Sequence, residues 1–286
     1  MQRLSDISVR IRSLSELQNV VGAMRSLSAV RVQQAHETLL AIRQYTLIVE
    51  DALADALPEP APAAELDTSR EELVPTAVVA FCAEHGFVGA FNDRVLARAA
   101  AHLLNPRDRL LVVGSRGVTT ASEQHHAVAW SCPMASHVGG VNDVALRIAE
   151  ELARGSAGRL TRVVLVYTRS SGGATWRIVV ETLLPFDLGR HVPKRSDEPA
   201  PLTHLAPKVL FEKLVDELVF AELTRATTES FASESAARLQ AMESARDNIE
   251  DKLGELRRLE REGRQEEITT ELLDIVVGAE AMTRAG

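Results

Sequence analysis

Residues 233–242 are Ser-Glu-Ser-Ala-Ala-Arg-Leu-Gln-Ala-Met, and they open a helical pattern that continues to about residue 282. No proline interrupts the chain between Phe211 and Val277. Apolar residues within this stretch recur three, seven, four and three positions apart, at Leu239, Met242, Ile249, Leu253 and Leu256. This spacing predicts one long helix with a single apolar seam, and such a seam needs a partner helix of similar length.

The N-terminal segment has the pattern of that partner. Its apolar residues recur at steps of three or four, at Leu4, Ile7, Ile11, Leu14, Leu17, Val21, Met24 and Leu27. The pattern continues more weakly to about Leu57, and Pro58, Pro60 and Pro62 end it. A helix of this length spans about 80 Å. We therefore expect the two ends of the chain to form an antiparallel coiled coil, with the residues between them forming a separate body.

Composition narrows the classes of protein to consider. The chain has 286 residues, and its formal net charge of −8 argues against nucleic acid as a main partner. Its low aromatic content of 4% suits helix packing through Leu, Val and Ala better than an aromatic-lined pocket. No apolar run approaches the roughly 20 residues that span a bilayer, and the first segment lacks the apolar core of a signal peptide. Cys82 and Cys132 are too few for a disulfide framework, so we expect a reducing, cytoplasmic setting.

The middle of the chain has the pattern of an α/β domain. Continuous apolar runs begin at Thr76 and Arg109, and a helical pattern follows each of them. A third strand is expected near residues 127–131, and residues 160–167 and 176–183 are expected to form a hairpin. This order predicts a parallel layer with an antiparallel addition. The expected parts are an N-terminal coiled-coil helix, a linker, the α/β domain and a C-terminal coiled-coil helix, at residues 1–57, 58–75, 76–205 and 206–286.

The loop from Gly86 to Gly89 is the one candidate for a phosphate site. It follows the first expected strand and precedes a helix, where nucleotide-binding folds hold a phosphate. However, its glycines do not follow the Gly-x-Gly-x-x-Gly spacing, and no Gly-Lys-Ser/Thr follows. A tight turn is the favoured interpretation. No Cys and His residues stand at metal-ligand spacing and no catalytic set is recognisable, so we expect no catalytic residue, no cofactor and no metal.

Three sets of residues carry a family resemblance. The C-terminal set is Ser233-Glu234, Ala236-Ala237-Arg238, Ala241-Met242, Ala245, Asp247-Asn248, Arg264-Gln265, Ile268-Thr269, Glu271-Leu272, Ile275-Val276 and Gly278-Ala279. The N-terminal set is Ile11, Ala23-Met24, Ala29 and Arg31. The middle set is Gly86, Gly89, Asn92 and Val113-Gly114-Ser115-Arg116-Gly117. Through these residues the chain resembles, over nearly its whole length, the gamma subunits of bacterial F-type ATP synthases.

The resemblance implies a fold and a function. The fold is a long antiparallel coiled coil of the two terminal helices plus a Rossmann-like α/β domain. The function is that of a central rotor shaft, itself not catalytic, which couples proton or sodium transport through a membrane rotor ring to ATP synthesis or hydrolysis. Its partners would be the alpha and beta subunits of the catalytic ring, the epsilon subunit and the membrane rotor ring. The chain would be a peripheral protein on the cytoplasmic side of the bacterial membrane.

The resemblance also implies contact residues. Arg264, Gln265 and Thr269 stand where family members contact a catch loop of the catalytic subunits, and Met24 and Arg31 stand on the opposing helix, near the moving lever. The alternative for Arg264 and Gln265 is an exposed polar face without a partner. The chain departs from the usual family residues at Gly22, Ser26 and Arg261. The alternative function is a coiled-coil scaffold unrelated to rotary ATPases, which would explain the helices but not the C-terminal residue pattern.

Overall fold

The computed structural model describes residues 2–56, 75–156, 162–172, 175–186 and 203–284. The described chain begins with helix α1 (Gln2–Ala56) and ends with helix α5 (Pro207–Arg284). It divides into two compact units. We call Met1–Leu27 with Gln240–Gly286 the helix unit, and Ser28–Leu239 the sheet unit. Most of the expected linker, residues 58–75, and much of the segment between the hairpin and α5 lie outside the described residues.

The described residues of the sheet unit form five strands and three α-helices shorter than α1 and α5. In chain order these are β1 (Thr76–Phe81), α2 (Phe91–Ala100), β2 (Arg109–Val113), α3 (Ser115–Glu123), β3 (Val128–Cys132), α4 (Val141–Ser156), β4 (Arg162–Gly172) and β5 (Thr175–Leu184). The strand order is β3-β2-β1-β4-β5. The first four strands are parallel and β5 pairs with β4 antiparallel. The parallel layer with an antiparallel addition, expected from the sequence, is confirmed.

Both faces of this sheet are covered, as parallel strands require. One face packs against α4 through Val79, Leu111 and Ile148, which belong to one buried cluster. The other face packs against α2 through Val78, Val112 and Val95. Each of these six side chains is at most 1% exposed. The continuous apolar runs in the sequence therefore correspond to strands buried on both faces.

Part of α5 is also enclosed within the sheet unit. All side chains of residues 226–238 are buried. Ala35 and Leu39 of α1 pack against Phe231 and Ala232 of α5. Further along, Val49 and Leu53 of α1 pack against Leu218 of α5. Since the residue numbers rise on α1 while they fall on α5, the two helices run antiparallel here.

The helix unit holds a second antiparallel stretch of α1 and α5. Its buried residues are Val21, Met242, Ile249 and Leu253, which form one cluster. The Ser8 hydroxyl donates to Glu260 at 3.1 Å. Arg25 forms an ion pair with Glu243 at 3.5 Å. The predicted pairing of the two terminal helices is thus present in each unit.

The sequence prediction placed two wrong residues in the α1 seam. Leu17 and Leu27 are 48% and 52% exposed, whereas Gln18 and Arg25 are half-buried. The reason is helical phase, because a step of three residues turns about −60° and a step of four about +40°. Two successive steps of three, from Ile11 to Leu17, therefore turn Leu17 away from the seam. Residues stay in the seam of a coiled coil only when steps of three and four alternate.

Candidate contact surfaces and the loop at the sheet edge

The C-terminal end of α5 leaves an apolar surface uncovered. At Gly263, α5 still packs closely against α1, because a Cβ added there would lie 2.8 Å from Leu4 Cδ2. From residue 268 to residue 277 every described side chain is exposed. We define the apolar tip as the six large apolar side chains in this range that are 55–67% exposed, namely Ile268, Leu272, Leu273, Ile275, Val276 and Val277. Exposed apolar patches of this kind mark interaction sites.

Three of the predicted contact residues lie beside the apolar tip. The Arg264 side chain is 67% exposed and forms an ion pair with Glu260, one turn earlier, at 3.0 Å. Gln265 and Thr269 are exposed, and the Thr269 hydroxyl donates to the Gln265 carbonyl at 2.7 Å. Exposed ion pairs contribute little to stability. The Arg264 guanidinium and the Gln265 amide can therefore bind a partner at little cost to the fold.

The other two predicted contact residues have different surroundings. Met24 is half-buried and packs against the cluster that contains Val21 and Met242 in the helix unit. Arg31 is half-buried in the sheet unit and has no ion pair with another described residue. Met24 therefore stabilises the helix pair in addition to any contact it makes outside the chain. That all five residues contact a partner stays a prediction.

The loop after β1 binds side chains of α5. Glu234 accepts hydrogen bonds from the backbone amides of Glu84 and His85 at 3.2 and 3.3 Å. Arg238 donates to the carbonyls of His85 and Gly86 at 3.2 and 3.1 Å. Glu234 and Arg238 also form an ion pair at 2.6 Å, with side chains only 4% and 5% exposed. The loop considered for phosphate binding is therefore a turn fixed to α5 by a buried ion pair.

Glu84 places a carboxylate at the carboxyl edge of the sheet. It accepts hydrogen bonds from the Ser115 amide at 2.9 Å, the Ser115 hydroxyl at 2.7 Å and the Met134 amide at 2.7 Å. Burial by itself would raise the pKa of Glu84, but these hydrogen bonds outweigh it and lower the pKa. Ser115 begins α3, and helix N-termini at this edge are the usual anion sites of nucleotide-binding folds. Here the chain's own carboxylate occupies that position.

A second ion network joins α5 to the hairpin. Glu229 is 1% exposed and accepts a hydrogen bond from Arg169 Nε at 2.5 Å. Arg225 pairs with Glu222 and, at 2.5 Å, with Glu181. Burial alone would lower the pKa of Arg225, but the neighbouring carboxylates, Glu222 foremost, outweigh it and raise the pKa. Because each of these charges has a partner, the network can remain ionised in a largely buried position.

The ion pairs of these charged residues were not predicted from the sequence, although Glu234 and Arg238 belong to the set that carries the family resemblance. The available signal was spacing, because Arg225 and Glu229, and likewise Glu234 and Arg238, stand four residues apart on one helix. Each pair lies among Ala, Ser and Thr residues. Small side chains let a neighbouring element approach closely, so opposite charges among them indicate a buried pair.

The described residues contain no group of three or more His, Cys, Asp or Glu side chains able to hold a metal ion. No described helix is long and apolar enough to cross a membrane. Cys82 and Cys132 are free and buried. Burial raises the pKa of Cys132 to about 11, so this thiol is protonated and unreactive near neutral pH.

Comparison with known proteins gives a consistent result. A family model described as ATP synthase matches residues 3–282. The ATP synthase gamma chain of Bdellovibrio bacteriovorus is 28% identical over 296 residues, covering 99% of both chains. That of Beutenbergia cavernae is 29% identical over 289 residues, covering 96% of both.

A solved structure shares the fold. It is a chain of the rotor of the Euglena gracilis mitochondrial ATP synthase, with a TM-score of 0.68 and 16% identity, covering 93% of this chain and 99% of that one. At this identity the likeness concerns the fold alone, a long helix pair with an α/β domain. Because the family match extends over nearly all of its residues, the chain belongs to the ATP synthase gamma-chain family.

Proposed function

We propose that this chain is the central shaft of an F-type ATP synthase. It turns with a membrane rotor ring, and its rotation changes the conformations of the catalytic sites in a surrounding ring of alpha and beta subunits. The observation that carries the proposal is the apolar tip, a surface that the pairing of α1 with α5 in the helix unit leaves exposed. A surrounding ring of subunits would cover such a tip on every side.

The sides of the helix unit differ, as a shaft requires. Val9, Val20 and Leu27 of α1 are 52–60% exposed, and their spacing of eleven and seven residues places them on one face of that helix. On α5 the exposed residues include the acidic Asp247 and Glu250. A subunit beside the shaft therefore meets an apolar or an acidic surface according to the angle of rotation. Differential contacts of this kind can shift a conformational equilibrium.

Catalysis belongs to the partner subunits in this proposal. The loop after β1 and the edge beside α3 already hold the carboxylates of Glu234 and Glu84, which leaves a phosphate no favourable position there. The chain itself neither binds nor hydrolyses ATP. Its sheet unit contacts the epsilon subunit and the membrane rotor ring. The chain is peripheral to the bacterial cell membrane, on the cytoplasmic side.

The proposed contact with the catalytic ring uses five residues. Arg264, Gln265 and Thr269 bind a loop of the catalytic subunits, and Met24 and Arg31 lie near their moving lever. Arg264 offers charge-assisted hydrogen bonds, which are roughly twice as strong as neutral ones. The support is that three of the five side chains are exposed beside the apolar tip.

The test is reconstitution of the complex with a double variant, Arg264→Ala with Gln265→Ala. Alanine favours a helix, so circular dichroism of the free chain should be unchanged, while coupled ATP-driven ion pumping should fall. The matched control is Arg258→Ala, because Arg258 is also exposed on α5 and paired with a glutamate one turn away. Wild-type pumping by the double variant in an assembled complex would rule out the contact.

The role as a shaft is tested by co-purification and by substitutions in the apolar tip. A chain that recovers only a second copy of itself, and no alpha, beta or epsilon subunit, would favour the coiled-coil scaffold instead. Leu272→Gln with Val276→Gln replaces two exposed apolar side chains one turn apart. The free chain should keep its stability, since exposed substitutions usually change it by at most about 0.5 kcal/mol, but assembly with the catalytic ring should weaken.

A further inference from the structure

Two arginines on the exposed face of α2 and a third at the start of β4 form no ion pair with a described residue. Arg94 and Arg98 are exposed and stand one turn apart on α2, and Arg162 is half-buried at the start of β4. We call Arg94, Arg98 and Arg162 the basic stripe. Among the described residues, none of the three forms an ion pair, although the chain as a whole has a net charge of −8. The nearest acid in sequence, Asp93, instead accepts a hydrogen bond from Gln124 at 2.8 Å.

The stripe has an electrostatic cost within the chain. Like charges one helical turn apart destabilise a helix by about 0.2–0.5 kcal/mol. The helix dipole favours Arg98 in the last turn of α2, but it opposes a cation near the first turn, where Arg94 lies. The pKa of His102 is lowered by burial and then by the charges of Arg98 and Arg162. The positive charges of Arg98 and Arg162 therefore act on a neighbouring side chain, and neither arginine forms an ion pair with a described carboxylate.

The Arg94 side chain is held in place by aromatic packing. Its guanidinium carbon lies 4.3 Å from the ring centroid of Trp176 on β5. Trp176 in turn packs against Phe91 with ring centroids 4.8 Å apart. A guanidinium stacked on an indole keeps the N–H groups at its edge free for hydrogen bonds. Fixed in this way, Arg94 loses little side-chain entropy when it binds a carboxylate in bidentate geometry.

From this geometry we propose that the basic stripe, formed by α2 and the start of β4, docks a carboxylate-rich surface of another subunit of the same complex. The proposal rests on the proposed function, which supplies the complex. A protein surface fits better than an anionic membrane, because polybasic lipid sites usually gather about four to eight cations and the stripe has three permanent ones. Charge complementarity then sets the orientation of the partner and its rate of association.

The experiment compares two double charge reversals in the full-length chain. The test variant is Arg94→Glu with Arg98→Glu. The control is Arg147→Glu with Arg177→Glu, because both residues are exposed, form no ion pair with a described residue and lie on α4 and β5. A neutral version, Arg94→Gln with Arg98→Gln, tests the stripe without adding negative charge. Thermal unfolding establishes that each variant is folded. Binding to the alpha–beta ring, the epsilon subunit and the membrane ring is then measured separately, at low and high NaCl.

The expected result is that the charge reversal weakens binding to one of these partners about tenfold or more and removes most of its salt dependence. The neutral version should show a smaller loss for the same partner, and the control none. Equal binding by test and control variants, for all three partners, would overturn the docking proposal alone. Failure of the wild-type chain to bind any of them would overturn the proposed function and this proposal with it.

A further binding experiment with lipid vesicles distinguishes an anionic membrane from a carboxylate-rich protein surface as the partner of the basic stripe. Vesicles of phosphatidylglycerol and phosphatidylcholine are offered to the wild-type chain and to both charge-reversal variants. The proposal expects no difference among the three chains. If the test variant lost vesicle binding but bound every subunit as the control does, the stripe would be a membrane site, and the proposal would be wrong.

Discussion

Two stretches of α5 reverse the usual relation between polarity and burial. Residues 226–238 are all buried, yet Phe231 is their only large apolar side chain, and the others are Ala, Ser and Thr with Glu229, Glu234 and Arg238. Residues 268–277 include the six Leu, Ile and Val side chains of the apolar tip, and every described side chain in this range is exposed. Composition alone would have predicted the opposite burial for each stretch.

The difference shows where each stretch finds its partner. Small side chains allow the sheet and α1 to approach the buried stretch closely, and its charges have partners within the chain, such as Glu234 with Arg238. Within the helix unit, no described residue covers the apolar tip in this way. Burying it would gain roughly 25 cal/mol per Å² of apolar surface. The buried stretch thus serves the fold, and the tip serves a partner.

The largest effect is expected from Glu234→Ala in the buried stretch. The change leaves the Arg238 guanidinium buried without its carboxylate and removes the acceptor of the Glu84 and His85 amides. Breaking a buried pair in this way costs about 3–5 kcal/mol. Urea unfolding followed by circular dichroism measures the loss. It should appear as a marked fall in the transition midpoint.

The control for Glu234→Ala is Glu262→Ala on the same helix. Glu262 pairs with Arg258 at 3.3 Å, but both side chains are more than half exposed. Its removal should cost at most about 0.5 kcal/mol. If the two changes cost the same, the Glu234–Arg238 pair would not have the buried character that distinguishes the two stretches.

A smaller loss of stability is expected from Ala232→Leu. Ala232 is 0% exposed and packs in the cluster with Ala35 and Leu39 of α1. The larger side chain would have to displace α1, and such overpacking typically costs about 1–3 kcal/mol. Leu272→Ala in the apolar tip is the matched change, and it should leave the stability of the free chain unaltered. If Ala232→Leu left the stability unchanged, the close approach of α1 to α5 would not depend on small residues at this position.

The sequence predicted the architecture well, because helical and strand periodicity depend on local spacing. The parallel strands, the hairpin and the pairing of α1 with α5 could all be inferred from apolar patterns. The prediction of the seam was wrong at Leu17 and Leu27, which are apolar but lie on the exposed side of α1. Phase determines which side chain faces a partner, so polar Gln18 lies in the seam.

The contact surfaces could be predicted less fully from the sequence. The family resemblance indicated Arg264, Gln265 and Thr269. That the neighbouring apolar residues are uncovered is known only from the exposed fractions of their side chains in the structure. Glu84 could not be found, because its role depends on Ser115 and Met134, which are remote in sequence and meet it only at the edge of the sheet. The basic stripe likewise depends on residues remote in sequence, because the charge of Arg162 acts on His102, just after α2, and Arg94 stacks on Trp176.

The smallest effect is expected at two glycines within the helix unit, and its sign should differ between them. A Cβ at Gly22 would meet nothing within 4 Å, whereas one at Gly263 would lie 2.8 Å from Leu4 Cδ2. Gly22→Ala should therefore stabilise the helix unit by about 0.5–1 kcal/mol, because alanine loses less backbone entropy in a helix. Gly263→Ala should gain nothing or destabilise, since Leu4 must move.

Amide hydrogen exchange of α1 is a suitable measurement for the two glycine variants, because it reports the opening of the helix unit separately from that of the sheet unit. Slower exchange in Gly22→Ala and unchanged or faster exchange in Gly263→Ala are expected. Equal protection in both variants would contradict the close packing of Leu4 on α5. In that case the helix pair would end before Gly263, and the uncovered part of α5 would be longer than the apolar tip.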